Sequence, residues 1–206
     1  MRVDRFFYRL PGSRAGPLIG RLSDSVVTIW TIGHSTRTLE ELKTLLQEHQ
    51  IDILADVRTF PTSARCPHFK REHLVWWLSE ADIHYCWLGM ELGGYRKKQH
   101  PHSPHLALIS PGFRNYADHT ASKEFRRGVE KLQRLAINRR VAIMCAEKLW
   151  WRCHRSLLSD YLAACCCIQI MHILEAGRTE PHRLHRAARL VEGRLVYDLG
   201  EQARLW

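Results

Sequence analysis

Five short apolar runs, separated by segments with helical periodicity, constrain the fold of this chain most strongly. The first run is the β-branched stretch from Val26 to Ile32, and the last extends from Ile168 to Ile173. Strands that alternate with helices are typical of a parallel sheet whose connections cross over its faces. The sequence therefore predicts an α/β fold of three layers, with a mostly parallel central sheet of about five strands and helices on both faces.

The pattern of apolar residues and turn formers also predicts where each element lies. We expect strands at 26–32, 51–57, 83–88, 141–145 and 168–173. We expect helices from Thr38, over 70–80, from Pro111, over 125–136 with Ser122 as N-cap, and over 156–164. A Gly- and His-rich loop is expected at 89–110. The tail predicts one more helix at 181–188 and an edge hairpin or strand at 194–199.

The length of 206 residues fits one ordinary domain with a full hydrophobic core. Residues 1–25 contain five Arg together with Pro and Gly turn formers, and no apolar segment long enough for a signal peptide. We therefore expect an N-terminal basic arm at 1–25, followed by a single α/β domain at 26–206.

The charge balance favours anionic partners. There are 31 Lys and Arg against 21 Asp and Glu, which gives a net charge of +10. Such a chain attracts phosphate groups at long range, so an anionic small molecule or nucleic acid is a natural partner. The charges do not cluster in one Lys-rich or Arg-rich run, so a protein that is basic for no binding reason stays an open alternative.

The cysteines and the hydropathy indicate a cytoplasmic protein without a membrane span. The seven cysteines are an odd number, and Cys165, Cys166 and Cys167 are adjacent, which does not suit a disulfide framework. The most apolar later stretch, Tyr161 to Leu174, is too short to cross a bilayer and contains Gln169. The pattern does not indicate an oligomeric state.

Polar side chains follow each predicted strand at its carboxyl end. Ligands of open α/β sheets bind outside that edge, because the ends of parallel strands meet there. We therefore predict one shared site at this edge. Its candidate residues, in chain order, are His34, Ser35, Asp56, Arg58, Gly93, Gly94, Cys145, Glu147, Cys153, His154 and Arg155, with His172 at the end of the fifth strand.

The segment from Cys145 to Arg155 is compatible with several chemistries. Arg152, Arg155 and the N–H groups that begin the next helix can cradle an anion. A thiolate of Cys145 or Cys153, with a pKa lowered by nearby Arg and the helix dipole, can attack an electrophile. The spacing from Cys145 to Arg152 is one residue longer than in the Cys-x5-Arg loop of cysteine phosphatases, so that parallel is weak.

Two further interpretations of this segment stay open. Cys145, Cys153 and His154 can bind zinc or iron with Glu147 as fourth ligand or base, although Cys-x7-Cys-His is not a standard finger spacing. Alternatively, both cysteines are small buried residues and Glu147 pairs with an Arg. The sequence does not decide among these interpretations, so we assign neither a metal ligand nor a cofactor.

Several motifs resemble the domain of unknown function 488 family. They are Thr31-Ile-Gly-His-Ser35, Asp56-Val-Arg58, Pro61 to Ser63 with Phe69, Leu92-Gly-Gly94, Tyr116-Ala-Asp118, Met144-Cys-Ala-Glu147, Cys153-His-Arg155 and His172-Ile173. The resemblance extends from about Val26 to Tyr197. It implies an intracellular α/β domain and indicates the site, but it implies no activity or substrate.

Our working hypothesis is an enzyme that acts on a phosphate-bearing substrate, either a nucleotide or nucleic acid. Glu147 is the expected general acid or base, Cys145 the nucleophile or a polarising neighbour, and His34 a second proton-transfer group. Arg58 and Arg155 are the expected anion clamps. The alternatives are a non-catalytic nucleic-acid-binding or partner module, or a metal-binding protein that uses Cys145, Cys153 and His154.

Overall fold

The computed structural model describes residues 26–62, 66–98 and 102–198. The predicted basic arm at 1–25 lies outside these ranges. Within them, the predicted α/β class and mostly parallel sheet are confirmed. The chain forms a six-stranded sheet in the order β3-β2-β4-β1-β5-β6, and a separate two-stranded sheet of β7 and β8. The first five strands pair in parallel, whereas β6 is antiparallel to β5.

The elements follow in chain order, and most of them lie where the apolar pattern predicts. The strands are β1 Thr28–Gly33, β2 Ile53–Asp56, β3 His84–Trp87, β4 Val141–Cys145, β5 Gln169–Glu175, β6 Arg178–Pro181, β7 Ala188–Val191 and β8 Arg194–Tyr197. The helices are α1 Leu39–Glu48, α2 Arg71–Ser79, α3 Gly89–Leu92, α4 Pro111–His119, α5 Lys123–Leu135 and α6 Arg155–Cys166.

Apolar clusters on the two faces of the sheet produce the three layers. On one face, leucines of α1 and α2 such as Leu42 and Leu74 pack with Ile32 of β1. On the other face, residues of α3 to α6 pack with Ile29 of β1, among them Phe125 of α5. Alternate residues of β1 thus enter opposite clusters, because successive side chains of a strand point to opposite faces. Both clusters bury apolar surface, which is the main favourable term in folding.

The two predicted helix starts with polar caps are confirmed. Thr38 accepts a hydrogen bond from the N–H of Glu41, and the Glu41 carboxylate accepts one from the N–H of Thr38, which completes a capping box. Ser122 accepts a hydrogen bond from the N–H of Phe125 at the start of α5. Caps of this kind satisfy N–H groups that the first helical turn leaves without partners.

The helix predicted at 181–188 is wrong. Residues 178–181 form β6 along the edge of the sheet, and the chain from 182 to 187 is irregular. Backbone and side-chain bonds hold this segment: the N–H of His182 donates to Ile170, and the N–H of His185 donates to Asp160. The predicted hairpin is present as β7 and β8, but it forms its own small sheet.

None of the helices in the described ranges is long and apolar enough to cross a membrane.

Candidate functional site

The site forms where the neighbouring strands β1 and β4 end. Gly33 and Cys145 are partners in the parallel register of these strands. Beyond them, the N–H of His34 donates to the carbonyl of Cys145 at 3.0 Å, and the N–H of Ser35 donates to that of Ala146 at 2.9 Å. The two loops therefore leave the sheet side by side. The predicted convergence of polar residues at this edge begins with these bonds.

Gly33 allows the two loops to approach this closely. A Cβ at this position would lie 2.0 Å from the carbonyl oxygen of Glu147, which is far inside van der Waals contact. Glycine is therefore required here for close backbone packing.

A cavity of about 640 Å³ opens at this edge. Its lining residues are His34, Ser35, Thr36, Cys66, Gly94, Ser110, Gly112, Phe113, Cys145, Ala146, Glu147, Arg152, Cys153 and His154. A second cavity of about 290 Å³ adjoins it and adds Arg58, Thr59, Phe60, Thr62 and Tyr95. The two cavities share His34, Gly94, Cys145, Ala146 and His154, so they form one depression in the surface.

Two thiols and an imidazole meet in the wall of this cavity. The Sγ of Cys145 lies 3.8 Å from Nδ1 of His154, and the Sγ of Cys153 lies 3.5 Å from the same nitrogen. All three atoms lie within 4.8 Å of one another. Cys145 ends β4, whereas Cys153 and His154 immediately precede α6, so regular elements support both sides of the cluster.

The two thiols influence each other's ionisation. The pKa of Cys153 is lowered well below its usual range by an S–H hydrogen bond from Cys145, against the effect of burial, and His154 and Arg155 lower it further. The pKa of Cys145 is raised by the same hydrogen bond and by burial. The α6 N-terminus also favours negative charge at Cys153. The cluster therefore favours one thiolate next to one thiol.

The imidazole of His154 has close neighbours on both sides. A Cβ on Gly94 would lie 2.5 Å from Nδ1 of His154, so the glycine backbone lies against the ring. The ring of Tyr116 approaches it edge-on, with 5.1 Å between ring centroids. These contacts fix the orientation of the imidazole without a hydrogen bond to its Nε2, which is buried and has no partner among the described residues.

Asp56 and Arg58 form a buried ion pair behind the cavity. Nε of Arg58 donates to both Asp56 carboxylate oxygens, at 2.9 and 3.0 Å, and its Nη2 lies 2.5 Å from Oδ2. The Tyr85 hydroxyl donates to the same carboxylate at 2.7 Å. Burial alone would lower the pKa of Arg58, but the bonds to Asp56 outweigh it and raise that pKa. The guanidinium is thus permanently charged and its contacts are internal.

His34 is a neutral imidazole held by contacts at both nitrogens. Nη1 of Arg58 donates to its Nε2 at 3.2 Å, and its Nδ1 donates to the carbonyl of Ser35 at 3.0 Å. The ring stacks on Phe69 with 4.2 Å between centroids. Burial, followed by the charge of Arg58, lowers the pKa of His34 to about 4. A guanidinium always donates, so the tautomer of this ring is fixed.

Arg155 lies below the cavity and is almost fully buried. Its guanidinium donates to the carbonyl oxygens of Glu147 and Lys148, the latter at 3.3 Å, and to the Thr31 hydroxyl at 3.3 Å. Its Nε has no partner in the part of the chain that the structure describes. Arg155 therefore anchors the loop that follows β4 and does not line either cavity.

A chain of hydrogen bonds connects Arg155 to a buried carboxylate. The Thr31 hydroxyl contacts Nδ1 of His172 at 2.7 Å, Nε2 of His172 contacts Nδ1 of His182 at 3.0 Å, and Nε2 of His182 contacts Asp160 at 2.8 Å. With the Thr31 hydroxyl donating to His172, Nε2 of His172 donates to His182 and Nε2 of His182 donates to Asp160. The His172 imidazole is then neutral.

The environment of His172 agrees with a neutral ring. Burial, followed by the charges of His182 and Arg155, lowers the pKa of His172 to about 3. Trp150 stacks on the ring with 4.0 Å between centroids. His172 lies within β5 rather than at its end, and it does not line the cavity.

The structure brings most of the predicted site residues to one surface. His34, Ser35, Gly94, Cys145, Glu147, Cys153 and His154 line the larger cavity, and Arg58 lines the adjoining one. Asp56, Gly93 and Arg155 lie behind these walls and support them. Glu147 is exposed, and its Oε1 accepts a hydrogen bond from the N–H of Leu149 at 3.1 Å.

Other lining residues were not predicted as site residues. Cys66 and Phe113 line the cavity, together with Ser110 and Gly112 at the start of α4. Pro111 indicated the helix start, but only the tertiary packing of α4 brings its N-terminal turn to this edge. Cys66 has no sequence neighbour that marks a site.

A comparison with known protein families gives a match over the central part of the chain. The model described as "Domain of unknown function DUF488" matches residues 38–162, more than half of the chain. The chain belongs to this family. No curated protein and no solved structure matches it.

The DUF488 match covers most of the site. Asp56, Arg58, both loop glycines and the segment from Cys145 to Arg155 lie inside the matched residues. His34, Ser35 and His172 lie outside them, so the match is shorter than the resemblance seen in the sequence. The family description assigns no activity, and the chemistry has to be argued from the cavity.

Proposed function

We propose that this DUF488 protein is an enzyme that binds a phosphate-bearing substrate, a nucleotide or nucleic acid, in the cavity at the carboxyl edge of its sheet. One observation carries the proposal. The paired thiols of Cys145 and Cys153 and the imidazole of His154 line the same cavity as the cationic Arg152 and the carboxylate of Glu147, at the N-terminus of α6.

Arg152 and the N-terminus of α6 are the proposed anion contacts. Arg152 is exposed and lines the cavity, two residues before the N-cap of the helix. The dipole of α6 favours a negative group at this end, where the N–H of Ser156 itself donates to the carbonyl of Cys153 at 2.9 Å. The net charge of +10 adds long-range attraction for the same kind of ligand.

The thiol and imidazole cluster is the proposed reactive centre, with Glu147 as the general acid or base. Glu147 lies on the same cavity wall, exposed to solvent, where its carboxylate can exchange protons with a bound substrate. The cluster requires reduced cysteines, and we therefore propose a cytoplasmic location, where thiols are kept reduced.

In this proposal the remaining polar residues hold the loops of the site in place and do not contact the substrate. Arg58 and Arg155 donate to internal acceptors, so we assign anion contact to Arg152 and assign support of the loops to these two. His34 has both nitrogens engaged, and we therefore regard it as a support for Arg58 rather than as a proton-transfer group.

The proposal is tested by ligand-induced thermal stabilisation. The probes are pyrophosphate, mononucleotides and short single-stranded oligonucleotides. We expect at least one probe to raise the Tm in a concentration-dependent way. Arg152→Gln should weaken the binding of that probe by more than about tenfold, because a charge-assisted hydrogen bond is lost. The matched control is Arg127→Gln, which removes the same charge from the exposed face of α5 and should bind normally.

Two results would count against the proposal: no probe stabilises the protein, or Arg152→Gln binds as well as Arg127→Gln. The non-catalytic binding module is separated by salt dependence and by Glu147→Gln. A binding module loses affinity steeply with salt for any oligonucleotide. An enzyme retains binding of the small probe in Glu147→Gln but loses turnover of it.

A further inference from the structure

We propose that Cys145, Cys153 and His154 form a Zn²⁺ site whose fourth position is open to the cavity. The site deepens the proposed function by naming how the reactive centre works. The zinc proposal depends on the proposed function only for the claim that substrate binds at the open coordination position. The ligand set itself is argued from the positions of three atoms.

The spacing of these atoms suits a tetrahedral zinc ion. The two sulfur-to-nitrogen distances are 3.8 Å from Cys145 and 3.5 Å from Cys153. Zn–S bonds of about 2.3 Å and Zn–N bonds of about 2.0–2.1 Å, at tetrahedral angles, place sulfur and nitrogen ligands roughly 3.5–3.6 Å apart. The two measured sulfur-to-nitrogen distances therefore differ from the expected ones by at most a few tenths of an ångström.

The chemistry of the ligands selects the metal. Two thiolates and one imidazole are borderline-soft ligands that suit Zn²⁺, whereas Mg²⁺ and Ca²⁺ prefer oxygen. The two negative charges of the thiolates match the charge of the ion.

The supports of the three ligands keep them in place. Cys145 is held in the β1 to β4 pairing, and Cys153 is buried at the start of α6. His154 lies between the Gly94 backbone and the Tyr116 ring. Arg155 ties the intervening loop to β1 through Thr31 and the carbonyl of Lys148. Ligands on regular elements with fixed rotamers are a feature of preorganised metal sites.

The position of the cluster leaves room for a fourth ligand. All three residues line the cavity, and among the described residues the carboxylate of Glu147 is not within the group of atoms that lie 4.8 Å or less apart. Structural zinc sites have four protein ligands, whereas catalytic sites have three and an open position for water or substrate. In its one open position, a bound Zn²⁺ would either polarise a phosphoryl oxygen held by Arg152 or supply an activated water.

The test uses the full chain without a His tag, purified under reducing conditions, stripped with a chelator and reloaded with Zn²⁺. After removal of excess metal, elemental analysis should find about one zinc per chain. Cys145→Ser, Cys153→Ser and His154→Ala should each reduce the retained zinc by more than about tenfold. The matched control is Cys166→Ser, at the opposite end of α6, which should retain the wild-type amount.

Two further measurements separate ligation from misfolding. Co²⁺ in place of Zn²⁺ should give the sulfur-to-metal charge-transfer band and the intense visible bands of a tetrahedral site, and added cyanide should shift them through the open position. Circular dichroism of the metal-free variants should match that of the metal-free wild type.

Zinc below about a tenth of an ion per reloaded wild-type chain would overturn the site, since structural and catalytic zinc sites bind stoichiometrically. Zinc that all three variants retain would overturn it as well. Pyrophosphate binding is measured on the metal-free protein in parallel. If pyrophosphate binds in an Arg152-dependent way but the reloaded protein retains no zinc, the metal site is wrong and the proposed function stands.

Discussion

Gly94 lies directly against the imidazole of His154, so that a Cβ at this position would approach Nδ1 to 2.5 Å. The loop that follows α3 thereby fixes the orientation of the N-cap side chain of α6, far away in the sequence. The glycine is needed for space and not for an unusual backbone conformation, since its φ is not positive.

Gly94→Ala should therefore displace His154 and disable the cluster with little effect on folding. We expect a loss of zinc affinity of more than about tenfold, the size typical of a displaced ligand support. The measurement is competition with a chromophoric chelator. Gly112→Ala is the control: it lines the same cavity, but its Cβ would meet its nearest neighbour, Ser110 Oγ, at 3.8 Å, and it should bind normally. Equal affinity of the two variants would contradict this role of Gly94.

Asp56→Asn should destabilise the protein strongly. Asp56 is fully buried, and Arg58 contacts it through three short nitrogen-to-oxygen distances. Removal of one charge from a buried pair costs about 3–5 kcal/mol, because the other charge stays buried without compensation. Urea unfolding measures this free energy. Glu40→Gln, in the exposed pair with Lys43, is the control and should change little. A small effect of Asp56→Asn would show that solvent reaches Arg58.

The stability of the protein should fall with decreasing pH below about 6.5, because His34 and His172 both have lowered pKa values in the folded chain. His172 has the lower of the two values. Its pKa is about 3 in the folded chain, against 6.5 when unperturbed. The unfolded state therefore binds more protons across this interval, and each fully differing group contributes a slope of up to about 1.4 kcal/mol per pH unit. The stabilising contribution is complete above pH 6.5 and is lost as the pH falls towards 3.

His172→Asn should reduce that slope by the contribution of one of these two groups. His182, Arg155 and Thr31 face His172, with Asp160 beyond His182, so the variant also breaks the hydrogen-bond chain and lowers stability at neutral pH. Urea unfolding at several pH values between 4 and 7 measures the slope. His84→Asn, an exposed histidine of β3, should keep the wild-type slope. An unchanged slope in His172→Asn would mean that other groups cause the acid sensitivity.

Tyr197→Phe tests the Asp160 end of the same series of hydrogen bonds. The Tyr197 hydroxyl donates to Asp160 at 2.9 Å, and both side chains are fully buried. A hydrogen bond to a charged group contributes about 1.5–3 kcal/mol, and the free energy of unfolding should fall by this amount. Tyr95→Phe, on an exposed side chain, is the control and should be neutral. Equal stability of both variants would contradict the buried bond.

Much of the fold could be predicted because local sequence and tertiary structure agree. Val141 to Cys145 is an apolar run that follows two arginines, and the strand has the same bounds. Thr38 and Ser122 each cap a helix through their own side chain, which a sequence displays directly. The strand at 178–181 could not be predicted in this way, because it depends on an edge of β5 that only the assembled sheet provides.

The site could be predicted in position but not in detail. The backbone pairing of parallel strands brings His34 and Cys145 together regardless of where their side chains point. The shared edge therefore follows from the topology of the sheet. Side-chain direction does not follow from topology. Arg155 points below the cavity to carbonyl oxygens, while Arg152, three residues earlier, lines it. The direction of each side chain depends on how the backbone enters α6. The sequence alone shows only two similar cations.

A crystal of the protein soaked with pyrophosphate tests the central claim most directly. The account predicts a phosphate group in the cavity at the carboxyl edge, within hydrogen-bond distance of Arg152 and next to Cys145, Cys153 and His154. Pyrophosphate bound at another surface, with this cavity filled only by water, would contradict it.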